Sequence, residues 1–134
     1  MNIIVDTNIL VRFFIRDDEL QFQKVSDIFE KASQIIIPTN TLCELVWVLS
    51  YSYQLNKQDI IEIMSFLLDT DNVIIKKNEI NFGLKMLENN GDFSDGINAF
   101  LGIKMALNHQ AEFISFDKKA VKVLQKLGVN AREL

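Results

Sequence analysis

The sequence contains very little cysteine, histidine or proline, with one residue of each among 134. The single Cys43 excludes an internal disulfide and any zinc site built from several cysteines. The single His109 follows the end of a predicted helix, where the helix dipole favours a cation, so an exposed structural role is favoured over a catalytic one. Catalytic chemistry in this chain would therefore have to be carried out by carboxylates.

Long apolar runs and linkers are absent as well. No run reaches the roughly 18 apolar residues of a membrane-spanning helix, so we expect no membrane association. Few glycines, one proline and the lack of any repeat predict a single domain over residues 1–134. No basic segment precedes the first apolar run, so we expect a cytoplasmic protein. The hydrophobic share of 49% is high for a soluble monomer and favours a homodimer or a permanent partner.

The net charge of −4 argues against general nucleic-acid binding through a basic surface. It does not exclude an enzyme that acts on nucleic acid, because a bound metal ion would offset clustered acids. Positive charge is concentrated locally at Arg12 and Arg16 and at Lys118 and Lys119. These four residues are candidates for contacts with substrate phosphates, although each could equally belong to a solvated helix surface.

Short apolar runs alternate with segments of helical periodicity along the chain. Strands are predicted at residues 3–5, 35–37, 73–75 and 113–116, with a further edge strand from residue 129. Helix caps are predicted at Asp6 or Thr7, at Thr39 or Asn40, at Asn56 and at Asn78, and helices are predicted to start at Asp17–Asp18, at Phe93 and at Lys118. Gly91 and Gly128 are predicted to follow the ends of the helices that begin near Asn78 and at Lys118. The helix over 93–108 is apolar almost all round and is expected to be buried. This alternation predicts an α/β fold with a mostly parallel sheet of four or five strands flanked by helices.

Four acidic residues fall where such a sheet would gather them. Asp6 and Asp117 each follow a strand end, Glu44 interrupts the third helix, and Asp95 opens a late helix. Ligands of parallel sheets bind beyond the carboxyl ends of the strands. Clustered carboxylates repel one another unless a cation lies between them, and hard divalent cations prefer oxygen ligands. The pattern therefore predicts a Mg²⁺ or Mn²⁺ site and a metal-dependent phosphodiester hydrolase.

Helix capping is the ordinary alternative for the aspartates. Asp6 and Asp117 could simply cap the helices that follow them, and Asp92 could cap its helix with Asp95 in the first turn. The same choice is open for the polar residues near these acids. They could orient the carboxylates, or they could form local turns and caps. These residues are Thr7, Asn8, Asn98 and Ser115.

Glu44 is harder to explain as an ordinary surface residue. In a helix it would lie on the same side as Trp47, Val48 and Tyr51, and so extend an apolar stripe. No Lys or Arg lies within one turn of it. A glutamate at the rim with its carboxylate in water is the alternative. We favour a metal ligand that reaches towards the strand ends.

Taken together, these residues resemble the PIN-domain ribonuclease family, specifically the VapC-type toxins of bacterial type II toxin–antitoxin systems. The stretches that carry the resemblance are IVDTNIL at residues 4–10, ELVWVL at 44–49, DFSD at 92–95 and SFDKKA at 115–120. The resemblance implies that the catalytic and metal-binding acids are Asp6, Glu44, Asp95 and Asp117. Asp92 would be an additional acid whose part in metal binding is left open. Thr7, Asn8 and Ser115 match supporting polar positions.

The resemblance also implies a reaction and partners. One or two Mg²⁺ or Mn²⁺ ions would activate water for hydrolysis of RNA phosphodiester bonds. The implied partners are an RNA substrate, a small antitoxin protein and a second copy of the chain, bound through the helices near Glu44 and over 78–90. Two alternatives remain: phosphoryl transfer through a nucleophilic Asp, and a non-catalytic PIN-like module that only binds a partner. One phosphatase class needs a second acid two places after Asp6, where this chain has Asn8.

Overall fold

The computed structural model describes residues 1–107 and 109–134 of the chain. The described strands are β1 (Asn2–Ile4), β2 (Gln34–Ile36), β3 (Val73–Ile74), β4 (Phe113–Ser115) and β5 (Ala131–Glu133). The described helices are α1 (Thr7–Phe14), α2 (Glu19–Lys31), α3 (Thr39–Tyr51), α4 (Lys57–Asp69), α5 (Lys77–Glu88), α6 (Phe93–Met105) and α7 (Lys118–Lys126). The last residue of the helix predicted over 93–108, Asn108, lies outside the described residues.

The strand pairing confirms the predicted α/β class with parallel strands. β1, β2 and β3 form a three-stranded parallel sheet, in which Ile3 is opposite Ile35 and Ile35 is opposite Val73. β4 and β5 form a two-stranded parallel sheet with Phe113 opposite Ala131. The strands thus pair as three and two, where the sequence predicts one sheet of four or five.

The chain divides into two compact units, Met1–Lys76 and Lys77–Leu134. The prediction of one domain over residues 1–134 stays a prediction. In the first unit, α3 packs against α1 and α4. Its core contains Leu10, Leu42, Leu49 and Met64, none of which has solvent-accessible surface. Along each helix, further apolar residues follow these side chains at helical spacing and form one apolar face. Burial of these faces stabilises the unit.

A cluster of phenylalanines joins α1, α2 and α4 in the first unit. Phe13 lies at the centre, with ring centroids 5.0 Å from Phe29, 5.9 Å from Phe22 and 6.4 Å from Phe66. Phe14 meets Phe13 edge to face at 5.2 Å. Such aromatic pairs add to the free energy gained by burial, and they fix how α2 lies on α1.

In the second unit, α5 and α6 approach closely because both carry glycine at the contact. A Cβ atom added at Gly83 would lie 2.6 Å from the Phe93 ring, and one at Gly96 would clash with Met86. Met86 also belongs to a hydrophobic core that includes residues of α7 and β5. Its remaining buried members are Ala99, Val121, Val123, Leu124 and Ala131.

Helix beginnings follow local capping chemistry, with two corrections. The side chains of Asp6, Asp18, Asn56, Asp92 and Asp117 cap their helices. The prediction that Thr39 or Asn40 caps α3 is wrong, because Pro38 is the cap residue and its carbonyl accepts from the Thr41 N–H at 3.0 Å. The predicted cap at Asn78 is also wrong, since α5 begins at Lys77 and Asn78 is already its second residue.

The predicted burial of the whole α6 segment is wrong for its C-terminal half. The N-terminal half is buried at Phe93, Ile97 and Ala99. Further along, Met105 and Leu107 are 81% and 82% exposed. A helix that is apolar on every side gives no periodic signal for the face that packs, so the sequence alone could not distinguish the two halves.

None of the helices within the described residues is long and apolar enough to span a bilayer.

Candidate functional site

In the first unit, Asp6 lies directly between β1 and α1. Its Oδ1 accepts a hydrogen bond from the Ile9 backbone N–H at 3.1 Å, so Asp6 caps α1. The side chain is exposed, and its Oδ2 accepts no hydrogen bond from the described residues. The capping interpretation is thus confirmed. A cap occupies one carboxylate oxygen, however, and the second oxygen remains able to bind a cation.

Glu44 is joined to the same region by Thr7. The Thr7 hydroxyl donates a hydrogen bond of 2.7 Å to Glu44 Oε2. Thr7 opens α1 and Glu44 lies in the second turn of α3, so this bond connects two helices that pack together in the core. It fixes one oxygen of Glu44 and leaves Oε1 for another ligand. The predicted possibility that Thr7 hydrogen-bonds a carboxylate is therefore realised.

The face of α3 that carries Glu44 differs from the prediction. Trp47 and Tyr51 do share that face, but they are 59% and 68% exposed, with ring centroids 5.3 Å apart. The buried face of α3 carries Leu42, Leu45, Val46 and Leu49. Glu44 is exposed together with its aromatic neighbours. The argument that Glu44 extends a buried stripe is wrong, because α3 has apolar residues on both sides and only one side packs inward.

In the second unit, three aspartates lie around the beginnings of α6 and α7. Asp92 Oδ2 accepts from the Asp95 N–H at 2.9 Å and caps α6. Asp117 Oδ1 accepts from the Ala120 N–H at 3.0 Å and caps α7. The Asp117 N–H in turn donates to the Ser115 hydroxyl at 2.9 Å. Ser115 thereby fixes the backbone from which the Asp117 carboxylate projects.

Asp95 is the acid of this group whose ionisation is disfavoured. Its side chain is half-buried. This burial raises the pKa of Asp95 above its ordinary value, and the negative charges of Asp92 and Asp117 raise it further. Asp92 and Asp117 therefore lie close enough to Asp95 for their charges to act on its carboxyl group. A cation bound among them would remove the repulsion that raises the pKa.

The other predicted site residues include two exposed asparagines and two arginines that already have acidic partners. Asn8 is exposed and lines a cleft together with Asp6, and the side chain of Asn98 is exposed on α6 and forms no hydrogen bond with the described residues. Arg12 pairs with Asp17 at 3.0 Å. Arg16 pairs with Glu19 and stacks over the Phe22 ring, so both arginines hold structural contacts at the surface.

Lys118 and Lys119 occupy the first turn of α7, directly after Asp117. Both are exposed and neither forms an ion pair with a residue that the structure describes. The positive end of a helix dipole disfavours lysine in this turn. Asp117 at the cap supplies one negative charge beside them, and a bound phosphate would add a further anion for the two lysines.

The donor set fits a hard divalent cation in its chemistry, because every candidate ligand is a carboxylate oxygen. Within residues 1–107 and 109–134, however, no group of three or more His, Cys, Asp or Glu side chains is spaced to hold a metal ion. Among the described residues, Thr7 is hydrogen-bonded to Glu44, and the charges of Asp92 and Asp117 act on Asp95. Binding of one cation by Asp6, Glu44, Asp95 and Asp117 stays a prediction.

Comparison with known proteins decides the family. The sequence model of the PIN domain matches residues 3–126, which include all four predicted ligands. The chain belongs to the PIN domain family. It is 26% identical to the VapC ribonuclease of Aquifex aeolicus (strain VF5) over 127 residues, which cover 90% of each protein. No solved structure matches this PIN domain significantly. The predicted PIN and VapC-type resemblance is thus confirmed.

Two polar residues of this PIN domain were not identified from the sequence. Gln21 and Lys24 of α2 line the same cleft as Asp6 and Asn8. Their spacing of three residues places them on one side of a helix, but that spacing is common on any solvated helix. Only the packing of α2 on α1 brings this side to Asp6.

Proposed function

We propose that this PIN-family protein is a Mg²⁺- or Mn²⁺-dependent endoribonuclease, with Asp6, Glu44, Asp95 and Asp117 as catalytic metal ligands. The observation that carries the proposal is the PIN domain match over residues 3–126, which include all four acids, together with the 26% identity to a VapC ribonuclease. The grouping of Asp92, Asp95 and Asp117 at the starts of α6 and α7 supports it, because carboxyl groups among like charges are typical of functional sites.

Three of the four acids suit metal binding, because a hydrogen bond fixes only one of their two carboxylate oxygens. Asp6 and Asp117 each use Oδ1 for a helix cap, and Glu44 uses Oε2 to accept from Thr7. In each case the second oxygen can face a cation while the first holds the side chain in place. A bound divalent cation would lower the pKa of a water molecule and stabilise the negative charge that develops on the phosphate.

The cationic residues would hold phosphates that flank the cleaved bond. Lys118 and Lys119 are the strongest candidates, because they are exposed and free of ion pairs among the described residues. Arg12 and Arg16 could contribute only with partial loss of their ion pairs to Asp17 and Glu19. Exposed pairs of this kind contribute about 1 kcal/mol or less, so RNA could compete for both guanidinium groups.

Cleavage of RNA by the purified protein tests the proposed activity. We expect cleavage of single-stranded RNA with Mg²⁺ or Mn²⁺, none with EDTA, and rates lowered about a hundredfold or more by Asp6→Asn or Asp95→Asn. Asp27→Asn provides a matched control, because Asp27 is exposed on α2 and is not among the candidate ligands. Its rate should equal that of the unchanged protein.

The alternatives predict different results. Cleavage that survives both EDTA and Asp6→Asn would overturn the metal-dependent mechanism. Covalent labelling of an aspartate by acetyl phosphate would support phosphoryl transfer in its place. Absence of Mn²⁺ binding in isothermal titration calorimetry would support a non-catalytic module that only binds a partner.

We further propose that the protein is the toxin of a toxin–antitoxin pair, located in the cytoplasm and neutralised by a small antitoxin protein. The similarity to a VapC protein supports this role. Induced expression in a bacterial host should stop growth, and Asp6→Asn should restore it. Unchanged growth with the intact protein present in soluble form would contradict the toxin role and leave the nuclease activity to be judged by RNA cleavage.

A homodimer is proposed through the exposed face of α3. The exposed Trp47 and Tyr51 form an aromatic pair there, and aromatic residues are enriched at protein interfaces. Multi-angle light scattering should give twice the monomer mass, and Trp47→Ser should shift the mass towards the monomer. Leu20→Ser, which removes an apolar residue that is exposed on α2, is the control and should leave the mass unchanged.

A further inference from the structure

A polar cleft lies between α1 and α2 of the first unit, directly beside Asp6. It has a volume of about 370 Å³, within the usual range for small-ligand sites. One wall comes from the segment that contains Asp6 and α1, and the other comes from α2. We call it the α1–α2 cleft, and its lining residues are Asp6, Asn8, Ile9, Arg12, Gln21, Lys24 and Val25.

The α1–α2 cleft offers a cation for an anion that binds beside a proposed metal ligand. Arg12 and Lys24 line the cleft together with the carboxylate of Asp6. Asp17 already pairs with Arg12 and holds its guanidinium group at the cleft. Lys24 is exposed and forms no ion pair with any residue in the described ranges. Its ammonium group is therefore available to an incoming phosphate.

The uncharged lining suits the rest of a nucleotide. Asn8 and Gln21 supply amide groups that can both donate and accept hydrogen bonds. Ile9 and Val25 form an apolar wall against which a base or ribose can pack. A simple anion would need only the cations, whereas a nucleotide would use the cations, the amides and the apolar wall together.

We propose that the α1–α2 cleft binds a nucleotide of single-stranded RNA adjoining the cleaved phosphodiester, with Lys24 contacting its phosphate and Gln21 contacting its ribose or base. This proposal rests on the proposed ribonuclease function. Asp6 connects the cleft with the proposed metal site. A phosphate bound at Lys24 would lie in the same cleft as this carboxylate, which is proposed to hold the catalytic metal. Lys24 and Gln21 are thus substrate-binding residues and are not expected to change the chemical step.

Equilibrium binding of RNA tests the proposal separately from cleavage. The probe is a short, fluorescently labelled single-stranded RNA, titrated with the full chain in Ca²⁺, an oxygen-binding cation that replaces Mg²⁺. Lys24→Ala should weaken binding about fivefold near 0.1 M salt and lower the slope of log K against log salt by about 0.7, the value for one phosphate contact on a single strand. Lys24→Arg should restore both. Gln21→Ala should weaken binding without changing the slope, because it removes no charge.

Lys31→Ala is the matched control. Lys31 is exposed in the last turn of the same helix and does not line the cleft, so the variant loses the same charge elsewhere. Its affinity should match that of the unchanged protein. In cleavage assays, Lys24→Ala should raise KM and leave kcat nearly constant.

Equal affinity and equal salt slope for Lys24→Ala and Lys31→Ala would overturn the cleft proposal while the intact protein still binds and cleaves RNA. A Lys24→Ala variant with lowered kcat and unchanged RNA binding would overturn it as well. An intact protein that neither binds nor cleaves RNA under any cation would overturn the proposed ribonuclease function itself. The two failures are therefore distinguishable.

Discussion

The Thr7 hydroxyl donates a 2.7 Å hydrogen bond to Glu44 Oε2, although 37 positions separate the two residues in sequence. Thr7 immediately follows Asp6, so this bond ties the position of Glu44 to the start of α1. It fixes one oxygen of an exposed glutamate that would otherwise sample many rotamers. The chain thus restrains a candidate metal ligand before any metal binds.

Removal of the Thr7 hydroxyl should weaken metal binding more than folding. We expect Thr7→Val to lower Mn²⁺ affinity about 10- to 100-fold, the usual effect of losing a residue that orients a metal ligand. The free energy of unfolding without metal should fall by only about 1 kcal/mol, since the bond is solvent-exposed. Calorimetric titration with Mn²⁺ and urea unfolding measure the two effects. Thr7→Ser retains the hydroxyl and should behave like the original protein; equal Mn²⁺ affinity in Thr7→Val would show that Glu44 needs no such restraint.

The raised pKa of Asp95 predicts a pH-dependent stability. The folded state raises this pKa above the ordinary 3.8 through burial and through the charges of Asp92 and Asp117. Below the ordinary pKa the group is protonated in both states, and as pH rises through the folded pKa its ionisation costs stability. Asp95→Asn should therefore raise the free energy of unfolding at pH 7 in metal-free buffer. That gain should shrink to nothing as pH falls below the ordinary pKa.

Urea unfolding at several pH values in the presence of EDTA checks this prediction. Asp71→Asn is the control, since Asp71 is exposed in the turn before β3. The prediction would be wrong if Asp95→Asn and the original protein were equally stable at neutral pH. It would also be wrong if the gain in the free energy of unfolding grew as the pH fell.

A divalent cation should stabilise the folded protein through the carboxylates. Ligand binding to the folded state alone adds about 2.7 kcal/mol at a free concentration of about 100 times Kd. Thermal unfolding with Mn²⁺ should therefore shift upward, and EDTA should reverse the shift. Asp6→Asn should reduce the shift, while an equal ionic strength of NaCl should not produce it. An Mn²⁺ shift of the same size in Asp6→Asn would remove this residue from the ligand set.

The close contact between α5 and α6 predicts opposite effects for two glycine substitutions. Gly83→Ala places a Cβ atom 2.6 Å from the Phe93 ring and should lower the free energy of unfolding by about 1–3 kcal/mol. Gly102→Ala on α6 has no atom within 4 Å and should stabilise the protein by about 0.5–1 kcal/mol, because alanine favours a helix. Urea unfolding of both variants is the measurement. An unchanged or higher free energy of unfolding in Gly83→Ala would show that the helices separate to admit the methyl group.

Local sequence signals predicted much of the secondary structure. Apolar runs located β1 to β4 to within a few residues, and Asp18, Asn56 and Asp117 marked the helix starts that they cap. Gly128 was correctly placed beyond the end of α7, where it adopts a positive φ of 88°. At the end of α5 the sequence indicated Gly91, whereas Asn90 takes the left-handed conformation with φ 63°. Asparagine tolerates that conformation nearly as well, so both residues were compatible with the signal.

Predictions about helix faces were less successful, for a physical reason. α3 and α6 carry apolar residues on opposite sides, so hydrophobic periodicity does not identify the side that packs. Burial of Leu45 and exposure of Trp47 depend on which surface α1 and α4 offer to α3. The sequence likewise could not single out Lys24, because its proposed role depends on the position of α2 beside Asp6.

The sequence by itself determined the α/β alternation, the acidic residues at the ends of strands and starts of helices, and membership of the PIN domain family. These properties depend on local propensity and on residue identity, which can be read along the chain. Only the tertiary structure decided that Thr7 restrains Glu44, that Asp117 lies near enough to Asp95 for its charge to act there, and that Lys24 shares a cleft with Asp6. Those relationships require side chains distant in sequence to lie within a few ångströms, and packing of the helices sets such distances.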